Sequence, residues 1–424
     1  MAALYRVRPA PGPLRAVVRV PGSKSLTNRA LLVAALADGP TTLVNALDSD
    51  DSRRLVESLE RLGFDVARRP EALVVQGLGG RLPASQAELY IGNAGTAARF
   101  LTAMLTLGQG EYVLDGDARM RERPIADLLD ALRQLGADVA SETGCPPVRV
   151  RASGLPGGAA TVSGSISSQF LSGLLMAAPY ARAPVTVTVA GELNSRPYVD
   201  MTLAVMADFG VDVARDGYAR FVVTPARYRA LDRYEIESDA SAASYFFAAP
   251  AVCGGVVRVE NISRRSRQGD VAFLDVLARM GCEVTEGEGW IEVGTNGRSP
   301  LQGVDVDLRD LPDTAQTLAA IAPFAVSPTT IRGIASARLK ETDRVAALCA
   351  ELARLGVSVE EHPDGLTIRP CAELRPAVIR TYNDHRMAMA FALVGLRAPG
   401  VQIENPACVS KTFPDYFQVL ERLQ

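Results

Sequence analysis

Two kinds of helical pattern alternate along this chain, and each recurs at a regular interval. The first kind opens on a polar, cap-like residue and then runs apolar nearly all round, with many small side chains. It occurs as "SKSLTNRALLVAALA" from Ser23, "NAGTAARFLTAML" from Asn93, "SSQFLSGLLMAAPYA" from Ser167, "DASAASYFFAAPAV" from Asp239, "DTAQTLAAIAPFAV" from Asp313 and "DHRMAMAFALVG" from Asp384. A helix with no polar stripe belongs inside a domain. The second kind is amphipathic, as in "ADLLDALRQLG" (126–136), and ends on glycine before an alternating strand. Those endings are "RLGFDVA", "QLGADVA", "DFGVDVA", "RMGCEVT" and "RLGVSVE", at Gly63, Gly136, Gly210, Gly281 and Gly356. Glycine there predicts a left-handed residue just past each helix end.

Both signals repeat every ~72 residues, which predicts six α/β units. A sixth glycine ending would fall beyond Gln424, so "YFQVLERLQ" reads as a helix whose strands are missing. The segment "ALYRVRPAPGPLRAVVRVPG" is expected to supply them. The prediction is therefore an α/β protein of two lobes. The first spans 22–235; the second combines 1–21 with 236–424 and is closed by the N-terminal strands. A linear solenoid is the duller alternative, but its repeats are usually shorter and need polar caps at both ends.

Composition narrows the function. Apolar residues at 48% suffice for two cores. A net charge of −3 argues against coating a polyanion, and 6% aromatics leave few stacking platforms for single-stranded nucleic acid. The six cysteines include no C-x-x-C pair, and neither histidine, His362 or His385, lies near one. Free thiols in a reducing cytoplasm are expected, with no metal site. No apolar run reaches about 18 residues, so no membrane span is expected. "MAALYRVRPA" has neither a signal core nor a transit pattern.

The chemistry-bearing residues cluster where the apolar helices begin. "PGSKSLTNRA" puts Lys24, Ser25 and Arg29 at a helix start, where free N–H groups and the dipole favour an anion. "GNAGTAARF" offers Gly95, a place for close backbone approach, and "RMRERPI" offers Arg123. "GSISSQFLSG" contributes Ser167, Ser168 and Gln169, and "ELNSRPYVD" adds Ser195. "LPDTAQTLA" places Asp313 at a helix start, where the dipole should keep it ionised. "ARLKETDRVAAL" sets Lys340 and Arg344 one helical turn apart, with Glu341 beside them. "VSKTFPDYF" supplies Lys411, and "YNDHRMAMA" supplies Asp384, His385 and Arg386. Taken singly, each segment reads equally as a cap, a tight turn or a solvated charge run. Taken together, six corresponding helix ends rich in cations and hydroxyls suit one polyanionic small molecule in a cleft between lobes.

In order along nearly the whole chain, "PGSKSLTNRALL", "GNAGTAARF", "RMRERPI", "SSQFL", "DASAASYF", "LKETDR", "YNDHRMAMA" and "KTFPDYF" resemble the family of 5-enolpyruvylshikimate-3-phosphate synthases (3-phosphoshikimate 1-carboxyvinyltransferases). The resemblance implies two inside-out α/β barrels of three units each, with the active site in the interlobe cleft. It implies transfer of the enolpyruvyl group of phosphoenolpyruvate to the 5-hydroxyl of shikimate 3-phosphate, releasing phosphate, on the route to chorismate. No metal or organic cofactor is implied, and a cytoplasmic monomer is expected.

The resemblance also assigns roles. Lys24, Ser25, Arg29, Ser167, Ser168, Gln169, Ser195, Asp313, Ser336 and Lys340 would hold shikimate 3-phosphate. Lys24, Gly95, Arg123, Gln169, Arg344, Arg386 and Lys411 would hold phosphoenolpyruvate. Asp313 would take the hydroxyl proton, Glu341 would protonate the methylene carbon, and His385 would donate a hydrogen bond near the transferred phosphate. Two positions depart from the usual pattern: Ser336 where the family often has Asn, and Phe100 where many members have Pro. Gly95 in place of Ala implies sensitivity to glyphosate. The rival readings are the sister transferase acting on UDP-N-acetylglucosamine and a non-catalytic phosphate-binding repeat protein. The first usually carries a Cys in the loop that reads "GDARMRERPI" here, and the second would have lost its acids and bases.

Overall fold

Helices built from Ala, Leu, Gly and Ser have no polar stripe to turn outward, so they must be enclosed. The computed structural model, which describes residues 3–295 and 300–423, encloses all six. The chain divides into a first unit, Gly22–Glu237, and a second made of residues up to Pro21 and from Ser238 onward. The first unit contains α1 (Lys24–Leu36), α2 (Asp50–Arg61), α3 (Gly95–Leu105), α4 (Ala126–Gln134), α5 (Ser168–Ala177) and α6 (Arg196–Asp208). The second contains α7 (Ala240–Cys253), α8 (Phe273–Arg279), α9 (Ala315–Ile321), α10 (Arg344–Arg354), α11 (His385–Gly395) and α12 (Tyr416–Glu421). Helices α3, α9 and α11 bury every residue, α5 all but Gln169, and α7 all but Cys253.

In the first unit α3 packs against both α1 and α5; in the second α7, α9 and α11 all touch one another. Small residues permit this closeness. A Cβ on Gly173 of α5 would lie 2.9 Å from the Arg99 carbonyl oxygen of α3. The intervening helices are amphipathic. α2, for example, buries Leu55, Val56 and Leu59 while Arg53 and Arg54 stay largely wet. With helices at the centre and sheets around them, each unit is an inside-out α/β barrel.

Among the described residues, six sheets surround the two cores. Gln86–Tyr90 shows the plan: it pairs in parallel with Gln109–Asp115 across α3, and the hairpin of Asp138–Ala140 and Val148–Ser153 adds antiparallel strands. Two sheets take their first strand from a distant part of the chain. Tyr234–Glu235 pairs with Leu43–Val44, and Leu14–Arg19 pairs with Gly255–Glu260. The expected N-terminal strands are divided. Leu4–Arg6 completes the sheet of Gln402–Glu404 and Val378–Ile379, while Leu14–Arg19 serves another. Ile236 and Glu237 stay with the first unit, beyond the expected limit at 235. Ile236 N–H donates to the Val44 carbonyl, and Ser23 N–H donates to that of Glu237.

The five glycine endings all adopt left-handed conformations, with φ of 92°, 88°, 85°, 100° and 88° from Gly63 to Gly356. At the first, Phe64 N–H bonds back to Leu59 O and Gly63 N–H to Glu60 O, closing the helix end. All six cysteines are free. Among the described residues no helix is long and apolar enough to cross a membrane.

Overpacking the α3–α5 contact should be costly. Gly173→Val is expected to lower the urea midpoint by the equivalent of about 1–3 kcal/mol. An unchanged midpoint would mean that the two helices have room to separate.

Candidate active site

Asp313 is the meeting point of the second unit's charged residues. It precedes α9, whose cap is Thr314, so it is not the cap that its helix-start position suggests. Three cations claim its oxygens instead. Lys340 Nζ donates to Oδ1 at 2.6 Å, Arg344 Nη1 to Oδ1 at 3.1 Å, and Arg386 Nη2 to Oδ2 at 2.8 Å. Arg344, 1% exposed, continues the network. Its Nη2 reaches Glu341 Oε2 at 2.9 Å, and its Nε reaches Asp384 Oδ2 at 2.8 Å. Lys411 Nζ stands 3.8 Å from Glu341 Oε1. Arg386 also donates to the buried Tyr245 hydroxyl.

The shared helical face expected for Lys340 and Arg344 does not form. Ala335–Leu339 is a 3-10 turn and α10 starts only at Arg344, because Asp343 caps it by accepting from Ala346 N–H. Lys340 and Glu341 therefore lie on the connecting bend, while Ser336 is half-buried in the 3-10 turn. The His385 ring is enclosed at the start of α11, with Nδ1 3.5 Å from Asp384 Oδ1.

The electrostatics follow from this geometry. Burial pushes Asp313 up, but Arg386, Lys340 and Arg344 outweigh it and hold the carboxyl well below its usual range. Burial lowers Lys340 against the pull of Asp313. Arg344 is raised despite its burial, by Asp384, Glu341 and Asp313. At neutral pH the site thus holds an ionised carboxylate ringed by cations, and an arriving anion can compete for those cations.

The first unit holds its expected residues in smaller groups. Lys24 faces Asp51 across 3.4 Å. Arg29 is fully buried: it donates to Thr202 Oγ1, Ser172 Oγ and the carbonyls of Ser25 and Tyr198, and it lies over the Phe100 ring. Burial lowers its pKa to about 10. Arg123 donates to both the carbonyl and the side chain of Asn93, with its guanidinium against Gly95. A Cβ on Gly95 would lie 2.4 Å from Arg123 Nη2. Ser167 caps α5, next to Ser168 and Gln169. Ser195 starts α6 in a left-handed conformation. Sequence reasoning missed Asp51, Tyr245 and the carbonyl partners of Arg29. Nothing local marks Asp51, which sits in an ordinary run of acidic helix-start residues.

A model of the EPSP synthase family (3-phosphoshikimate 1-carboxyvinyltransferase) matches residues 9–420. The chain belongs to the EPSP synthase family. Relatives named 3-phosphoshikimate 1-carboxyvinyltransferase include one from Marinomonas sp., 49% identical over 411 residues and 96% of each chain. Another, from Thiobacillus denitrificans, is 51% identical over 420 residues, 97% of this chain and 98% of that one. Among solved structures, an EPSP synthase from Acinetobacter baumannii superposes with a TM-score of 0.81 at 25% identity, covering 99% of this chain and 98% of that one. The two-lobe inside-out architecture is therefore that of EPSP synthases, and the sister-transferase and non-catalytic readings are not favoured.

The Asp313 cluster sets a pH dependence. The folded carboxyl lies below its unfolded value of about 3.9, so its contribution is complete above that value and lost as pH falls through the folded one. The urea-midpoint difference between wild type and Asp313→Asn should stay constant from about pH 7 to 5 and shrink below about pH 4. A difference that grew on acidification would contradict the assignment.

Proposed function

We propose that this member of the EPSP synthase family transfers the enolpyruvyl group of phosphoenolpyruvate to the 5-hydroxyl of shikimate 3-phosphate through Asp313 and Glu341. The observation that carries the proposal is the Asp313 carboxylate held by Lys340, Arg344 and Arg386, with Glu341 joined to the same Arg344. Addition forms the C–O bond to C2 of phosphoenolpyruvate and places a proton on C3. Asp313 accepts the hydroxyl proton, and Glu341 delivers the proton to C3. Elimination then returns a C3 proton to Glu341 and breaks the C2–O bond to phosphate, which leaves with the proton held on Asp313.

Charge competition couples these steps to binding. In the free protein Asp313 is a weak base, because three cations stabilise its charge. Phosphate and carboxylate groups on the substrates draw Arg344, Arg386 and Lys411 toward themselves. Asp313 then becomes more basic, and Glu341 can hold a proton. The same cations stabilise the tetrahedral intermediate.

Arg344, Arg386 and Lys411 are the proposed phosphoenolpyruvate clamp of the second unit; Lys340, Ser336 and Asp313 serve the acceptor. From the first unit, Lys24, Ser25, Arg29, Ser167, Ser168, Gln169 and Ser195 are proposed to bind shikimate 3-phosphate, supported by the N-termini of α1 and α5. Lys24, Gln169, Gly95 and Arg123 are proposed to reach phosphoenolpyruvate. His385 is proposed to donate a hydrogen bond near the transferred phosphate. The proposed setting is the cytoplasm, which six free cysteines support, and the proposed state is a monomer.

Phosphate release from phosphoenolpyruvate, dependent on shikimate 3-phosphate, tests the reaction. Asp313→Asn should lower kcat by about 10²–10⁴; near-wild-type turnover would remove Asp313 as the base. Gly95→Ala should displace Arg123 and raise KM for phosphoenolpyruvate without unfolding the protein. An unchanged KM would take Arg123 out of that site. Glyphosate should compete with phosphoenolpyruvate, and an inhibition constant in the millimolar range would count against the reading of Gly95.

A further inference from the structure

Immediately before Asp384 the backbone takes an unfavourable course. Tyr382 and Asn383 are consecutive left-handed residues, at φ 54° and 56°. Asparagine tolerates that region, whereas a bulky aromatic residue does so only when its surroundings impose it. Two contacts supply the constraint. The Tyr382 hydroxyl donates to Glu351 Oε1 at 2.8 Å, and Asn405 Nδ2 donates to Asn383 Oδ1 at 3.1 Å.

Glu351 is a fully buried carboxylate in the last turns of α10. Its other oxygen accepts from Arg380 N–H and Arg354 Nε, both at 3.0 Å. It lies two helical turns after Arg344 and so on the same face of α10. α10 thus grips the incoming strand twice, at Arg380 and Tyr382 through Glu351, and at Asp384 through Arg344. Asn405 itself is left-handed, at φ 49°, and starts the 3-10 turn Pro406–Lys411 that ends on Lys411. The bend at 382–383 therefore joins the three segments that carry Arg344, Arg386 and Lys411.

We propose that Glu351 and Tyr382 are positioning residues for phosphoenolpyruvate. Their hydrogen bond, with the Asn383–Asn405 link, locks the left-handed bend that sets Asp384 and Arg386 against Arg344 and Lys411. None of these four bracing residues needs to touch substrate. The inference rests on the proposed clamp role of Arg344, Arg386 and Lys411. The Tyr382 hydroxyl suits the task because burial and Glu351 push its pKa up to about 12, so it remains a donor across the working pH range.

Tyr382→Phe removes one hydroxyl from a residue that is 39% exposed, which leaves the core intact. Its KM for phosphoenolpyruvate should rise about tenfold, with KM for shikimate 3-phosphate unchanged. Glu351→Gln should raise the same KM. The double variant should be no worse than the worse single one, since both cut one link. Amide hydrogen exchange over 381–386, which needs no turnover, should quicken in Tyr382→Phe. Wild-type KM and wild-type exchange in that variant would overturn the brace. So would equal loss of affinity for both substrates in step with a fall in Tm, the mark of a merely structural role. A wild-type enzyme that released no phosphate would instead strike at the functional reading, leaving exchange to judge the brace.

Discussion

A buried guanidinium has five donors to satisfy, and Arg344 satisfies its own with carboxylates from three separate segments. That requirement organises the second unit's chemistry. Asp313 before α9, Glu341 before α10 and Asp384 before α11 must all converge on one side chain. Losing any one leaves charge stranded in a low-dielectric setting, at a cost of about 3–5 kcal/mol for a broken buried pair. Because Arg344 fixes both Asp313 and Glu341, the proposed base and acid are held by one cation. Four cations, Lys340, Arg344, Arg386 and Lys411, face these three carboxylates. The protein's own anions therefore hold the cations in place until substrate anions compete for them.

The architecture was legible because it rests on short-range rules repeated many times. Apolar runs of small residues could only be central helices, and glycines such as Gly63 and Gly136 could only mark helix ends. Much of the site was legible too, since helix starts with Lys24, Ser167 and Asp384 advertise themselves locally. What escaped depends on which distant residues face each other. Thr314 rather than Asp313 caps α9, because the cations drawing on Asp313 come from 27 to 73 positions away. Asp51 as partner of Lys24 and Glu351 as partner of Tyr382 have no pattern of their own in the sequence. The break in the helix after Leu339 was likewise hidden, because Asp343 looked like one more charge on a helical face.

The pairing of Leu4–Arg6 with Gln402–Glu404 has a bearing on biosynthesis. The first unit is one uninterrupted stretch of chain and can complete its core as it leaves the ribosome. The opening strands cannot. Leu14–Arg19 waits for Gly255–Glu260, and Leu4–Arg6 waits, unpaired, until almost four hundred residues later its partner segment has been translated. The order of folding therefore departs from the order of synthesis at the N-terminus. The residues synthesised first are among the last to find their places, and the Asp313–Arg344 centre assembles only after the first unit has had time to fold.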